Sequence, residues 1–117
     1  VEDLPKVNTE PSKEVKIQYA RDIFNKAGVP DTEYFIKMIS ECENSTWGST
    51  RTNTNQDKTT DHGVTQINDY WHKERFTKMF GSWDKVYNWK NNIEYALYLR
   101  LSWKNYSAWT CSSIVKK

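Results

Sequence analysis

The chain has 117 residues, enough for one domain with a single modest core and too few for two. Lys plus Arg exceeds Asp plus Glu by only two (17 against 15), and no basic run carries interleaved aromatics, which argues against nucleic-acid binding as the main task. No apolar run approaches the ~20 residues of a membrane span, and two cysteines exclude a dense disulfide framework. The apolar fraction is low at 37%, yet aromatics reach 15%, with six Trp and seven Tyr. Such rings either build a core, the commoner use, or form platforms on which flat ligands such as sugars or bases stack. Cys42 and Cys111 allow one bridge or two thiols. No signal peptide is visible, although a mature chain or an excised domain would have lost one. Asn44-Ser45-Thr46 and Asn105-Tyr106-Ser107 fit the glycosylation pattern, which arises often by chance.

Residues 1–11 are polar, contain Pro5 and Pro11, and read as an extended arm ahead of a single domain over 12–117. Val15, Tyr19, Ile23 and Ala27 recur every four residues, with Ala20 and Phe24 beside them, which predicts an amphipathic helix ended by Gly28. Pro30 breaks the chain, and Asp31 or Thr32 caps a second helix reaching about Glu43. From Asn44 to Thr60 the sequence turns polar and reads as a loop or as a small hairpin, Thr50–Asn55 and Thr59–His62 about Gln56-Asp57-Lys58. A polar stretch of that length inside a compact domain is usually functional when ordered. His72 to Phe80 predicts a short helix stopped by Gly81. Asn91 or Asn92 opens another through Leu101, apolar nearly all round and so expected to be the most buried. One more helical turn is expected between Trp103 and Trp109.

Two acids stand near the end of the second helix, and periodicity separates them. Phe35, Ile36 and Ile39 form the apolar stripe, and position 43 continues it at i+4 from Ile39 and i+7 from Ile36. Glu41 falls roughly opposite, four residues after Lys37, where an exposed ion pair would sit. Glu43 is therefore the acid at the edge of the core, where burial raises its pKa and lets it stay protonated to donate to a leaving-group oxygen. The plainer alternative is a Glu that caps a loop amide at the helix end. Asp61 precedes Gly63 in a polar strand or turn, and is expected to be hydrated, hydrogen-bonded and ionised. By itself it would be an ordinary turn residue. As a pair, the two have the split environments that glycosidic bond cleavage requires.

Asn53-Thr54-Asn55, Thr59-Thr60-Asp61-His62-Gly63, Gln66-Ile67-Asn68 and Trp71 together resemble the lysozyme superfamily. The run N-x-N…(S/T)-x-D-x-G-x-x-Q-I-N occurs in c-type lysozymes and in small secretion-associated bacterial lytic transglycosylases. Met38 to Glu43 is similar to the end of that family's acid-bearing helix, with Trp47 as the aromatic that follows, and Asn92-Ile93 and Ala108-Trp109 also suit the pattern. Asn44 stands where the family usually has Ser, and Thr65 where it has an apolar residue. The c-type disulfide set is missing, which points to a bacterial or phage protein.

The resemblance implies an α+β, mainly α, lysozyme-like fold with a small antiparallel hairpin or sheet beside a helical lobe. It implies cleavage of the MurNAc-β-1,4-GlcNAc bond of peptidoglycan, with Glu43 as general acid and later base. Asp61 would stabilise the oxocarbenium-like transition state or act as nucleophile, roles that the general scheme for glycosidases assigns from lysozyme itself. Asn53, Gln66 and Asn68 would line the cleft, Asn68 reaching a substrate amide. Trp71 would stack on a sugar and Trp109 would wall the Glu43 side, although loop bonding is the plainer use of Gln66 and Asn68, an equal one for Gln66, and Trp109 reads as core wall ahead of ligand platform. Glu41 is the fallback acid. No cofactor or metal is implied. Peptidoglycan glycan strands are the expected partner, outside the cytoplasm (periplasm, secreted or on a virion). A lytic transglycosylase, using the substrate's own C6 hydroxyl, is expected ahead of a hydrolytic muramidase. The rivals from another class are an inactive wall-binding module and a secretion-system or phage-tail assembly domain.

Overall fold

The computed structural model describes residues 10–117, so the expected N-terminal arm lies outside the described residues except for Glu10 and Pro11. Helix α1 runs Lys13–Lys26, its first turn capped by the Ser12 hydroxyl, which accepts from Val15 N at 3.3 Å. Gly28, at φ +83°, takes the left-handed conformation that ends it. The buried stripe is Lys16, Ala20 and Phe24, one position on from the expected one, and Val15 is 50% exposed. The rotation follows from Lys16. Its ammonium finds Trp47 O at 2.8 Å, Ser49 Oγ at 3.1 Å and the Glu10 carboxylate, so the aliphatic stem can lie along the core.

Helix α2, Thr32–Met38, is the most thoroughly buried helix, with five of its seven residues inside. Phe35 stacks on Phe24 of α1, ring centroids 4.4 Å apart. The chain then makes a wide turn over Ile39–Glu43, in which Asn44 N donates to Ile39 O at 2.8 Å, an i→i+5 bond. The helix thus reaches Glu43 as expected, but its last turn is a π turn, and Asp31 makes no capping bond.

The polar segment is a hairpin. Strands β1 (Thr52–Thr54) and β2 (Thr60–His62) pair antiparallel, and an unanticipated short strand β3 (Ile67–Asn68) adds to β2 in the order β1-β2-β3. Helix α3, Asp69–Phe80, begins three residues before the expected His72 because Asn68 caps it, its Oδ1 accepting from Trp71 N at 3.2 Å. Gly81, at φ +95°, ends it as expected. A 3₁₀ turn over Trp83–Tyr87, also unanticipated, leads to α4, Trp89–Trp103, which Asn88 caps in place of Asn91 or Asn92. Helix α4 is one-sided: Ile93, Tyr95, Ala96 and Leu99 are buried, whereas Leu101 and Trp103 are close to half exposed. The expectation that it would be the most buried helix fails there. The last helical turn lies at Thr110–Ser113, beyond the expected 103–109 stretch, which is irregular after Trp103 ends α4.

The fold is therefore α+β and mainly α, with a three-stranded antiparallel sheet packed on α3. Four of the six Trp serve the core: Trp47 and Trp109 are buried, and Trp83 and Trp89 pack against it. Trp71 and Trp103 stay exposed, and both line one cleft. Cys42 and Cys111 form a disulfide, S–S 2.08 Å, that ties the end of the π turn to the C-terminal segment. Among the described residues no helix is long and apolar enough to cross a membrane.

Candidate active site

A cleft of about 850 Å³ runs between the hairpin on one side and the segment from Trp103 to Cys111 on the other. Seven residues singled out from the sequence line it, Glu43, Asn53, Asp61, Gln66, Asn68, Trp71 and Trp109, whereas the fallback acid Glu41 does not. The structure thus gathers residues spread over 67 positions (109 − 43 + 1) into one concavity.

Glu43 enters the cleft from the π turn and is half-buried, whereas Glu41 is exposed, so the helix phase separates the two acids as expected. Burial pushes the Glu43 carboxyl up to about 7, and the charge of Asp61 adds to the rise. The Cys111 N–H, donating to Oε2 at 3.4 Å, and the Arg51 cation pull the other way. A long, poorly placed hydrogen bond cannot replace the lost hydration of a carboxylate, so the neutral acid is favoured.

Asp61 is held by the register of the sheet. Asn53, Asp61 and Asn68 lie directly opposite one another across β1, β2 and β3, which puts their side chains on one face. Both Asp61 oxygens accept amide N–H: Oδ1 from Asn68 at 2.9 Å and Oδ2 from Asn55 at 3.2 Å. Asp61 is hydrogen-bonded as expected, but it is half-buried rather than freely hydrated, and burial leaves its carboxyl above the usual range despite those bonds and the nearby His62. On the opposite face of β2, His62 bridges Asp69 (Nε2 to Oδ2, 3.0 Å) and the Tyr87 hydroxyl (2.6 Å), locking the sheet to α3 and to the 3₁₀ turn.

The two amides expected to meet substrate are committed internally. Gln66 donates to Gly63 O at 2.9 Å and Arg51 O at 3.1 Å, and adopts φ +59° in the loop before β3. Asn68 donates to Thr59 Oγ1 at 2.8 Å as well as to Asp61, and its oxygen caps α3. Trp109 is 3% exposed and its indole N–H donates to Thr65 O at 2.7 Å, a core wall that borders the cleft. Trp71 is the reverse, 71% exposed at the cleft rim with Tyr70 edge-on to it at 4.8 Å. His72 beside it is buried and pushed down to about 4 by desolvation, so it is neutral around pH 7.

Residues invisible as site residues in the sequence fix the loop that carries this geometry. Buried Asn92 of α4 accepts from Thr65 N at 2.8 Å and Thr65 Oγ1 at 2.6 Å, and donates to His62 O and Val86 O. Thr65 is polar because it serves this bond. Asn44 donates to Gly48 O, Gly63 O and Val64 O at 3.0–3.3 Å, stitching the residue after the acid to the loop after Asp61. Its presence where a Ser was expected is thereby explained. A buried Asn leaves no hydrophobic periodicity to find it by.

No family model, curated protein or solved structure matches the chain, so no family is assigned on that ground. Among the described residues, no group of three or more His, Cys, Asp and Glu is gathered as a metal-ligand set. Chemically, the cleft offers a neutral acid able to give up a proton near pH 7, a second carboxyl fixed by two amides, and an exposed indole.

Proposed function

We propose that this protein cleaves the MurNAc-β-1,4-GlcNAc bond of peptidoglycan on a lysozyme-like scaffold, with Glu43 as general acid and then general base. One observation carries the proposal: Glu43, raised to about 7, and the amide-held Asp61 line the same cleft as the exposed Trp71. Protonated Glu43 gives its proton to the glycosidic oxygen as the C1–O bond breaks, and Asp61 opposes the positive charge that grows on the ring. The face of the Trp71 ring suits the apolar face of a sugar. The disulfide fits an oxidising compartment outside the cytoplasm. A pure wall-binding or assembly module has no use for an acid held neutral in a cleft.

Two endings share this first half. In the lytic transglycosylase, Glu43 takes the proton of the MurNAc C6 hydroxyl, and that oxygen closes on C1 to give a 1,6-anhydro product. In the muramidase, Glu43 takes a proton from water and a reducing end results. The fixing of both Asp61 oxygens favours the second, because a second, anchored carboxylate in the cleft is what a retaining hydrolase uses. Mass analysis of digested peptidoglycan separates them: products 18 Da apart carry the anhydro ring or the reducing end (roughly one water, from the balance of the two reactions). Intact sugar chains after digestion of several peptidoglycans would refute both.

A further inference from the structure

We infer that Arg51 recognises a carboxylate on the glycan strand and so sets the charge preference of the cleft, an inference that rests on the glycan-cleaving reading above. Among the described residues Arg51 is the one Lys or Arg that lines the cleft, where Asp57 and Asp61 are the carboxylates besides the neutral Glu43. Its backbone is anchored, Arg51 O accepting from Gly63 N at 2.8 Å and Gln66 Nε2 at 3.1 Å, so the Cα is fixed against the Asp61 loop. Its side chain has no ion pair or hydrogen bond among the described residues, and the residue is exposed. Of the other three arginines, Arg21 and Arg100 are each paired with a carboxylate, and Arg75 is exposed on α3 outside the cleft. Arg51 lines the same cleft as Glu43, and its cation lowers that acid's pKa.

A guanidinium with five donors and no partner among the described residues matches a planar carboxylate, the group with which Arg forms two parallel hydrogen bonds. Peptidoglycan offers that group from two sources. The lactyl arm of MurNAc is a free carboxylate where the stem peptide has been removed, and the stem peptide carries its own carboxylates where it is present. The carboxylates of Asp57 and Asp61 would otherwise repel either, so one cation in the cleft decides whether an anionic strand is welcome.

The test measures kcat/KM by product release on three forms of one glycan: intact peptidoglycan, strands stripped of stems by an amidase, and stripped strands whose lactyl carboxylates have been converted to amides. Wild type should cut at least one charged form about fivefold better than the neutral form, the size expected of an exposed charge pair. Whichever charged form shows the preference identifies the carboxylate. Arg51→Gln should bring the ratio to near one, Arg51→Lys should retain part of it, and the wild-type preference should shrink at high salt. A wild-type ratio near one, or a ratio that Arg51→Gln leaves unchanged while overall turnover falls, would overturn the inference and leave Arg51 as a tuner of Glu43. Absence of product from all three forms would instead sink the glycan-cleaving reading itself.

Discussion

Replacing Glu43 by Gln should stabilise the protein, and by an amount that grows with pH. Glu43 has a folded pKa of about 7 against an ordinary value of 4.5. The folded state therefore resists ionisation that the unfolded chain accepts, and stability is lost as pH rises from about 4.5 through about 7. The difference, 7 − 4.5 = 2.5 pK units, corresponds to about 3 kcal/mol at its plateau. Gln keeps the shape and the acceptor for Cys111 N–H but cannot ionise, so it escapes the cost. In urea unfolding with the disulfide intact, the stability of Glu43→Gln minus that of wild type should be small at pH 4 and about 3 kcal/mol larger at pH 8. That change corresponds to roughly 10 °C in Tm for a domain of this size. A difference that stays flat between pH 4 and pH 8 would show that Glu43 ionises freely in the folded protein, and the argument for it as an acid would fail.

Gly63→Ala should cost roughly 3 kcal/mol or more, read by the same unfolding assay, because φ is +82° there and a Cβ would stand 2.3 Å from Asn92 Nδ2 and 2.6 Å from Val86 O. A loss under about 0.5 kcal/mol would mean that the Asn92 clamp gives way easily. Reducing the Cys42–Cys111 bridge, which closes a loop of 69 residues, should remove about 4 kcal/mol, checked by urea unfolding with and without a dithiol. Asp61→Asn should lower the pKa of Glu43, since the Asp61 charge helps to raise it; a carboxyl NMR titration that finds Glu43 unmoved would remove the coupling between the two acids.

The sequence carried the site better than it carried the supports of the site. Helix phase alone separated half-buried Glu43 from exposed Glu41, since period survives even where the last turn widens to a π turn. The hairpin strands were legible because turn residues punctuate them. The buried face of the first helix lies one position on from its apolar stripe because Trp47 O and Ser49 Oγ take the Lys16 ammonium, a pairing that periodicity does not encode. Asn68 and Gln66 were legible as site residues, but their actual partners depend on three-dimensional loop geometry. Asn44 and Asn92 were missed as positioning residues for the same reason: a buried amide is specified by its carbonyl partners, which lie 4 to 30 positions away in the chain.

The most direct test of Glu43 as the acid that breaks the glycosidic bond is a mass-spectrometric digest of peptidoglycan by wild type, Glu43→Gln and Glu41→Gln at equal concentration. Wild type and Glu41→Gln should release muropeptides with similar rates, and Glu43→Gln should release at least about a hundredfold less, the scale of a lost general acid. Full release by Glu43→Gln, in a variant shown to be folded, would contradict the account.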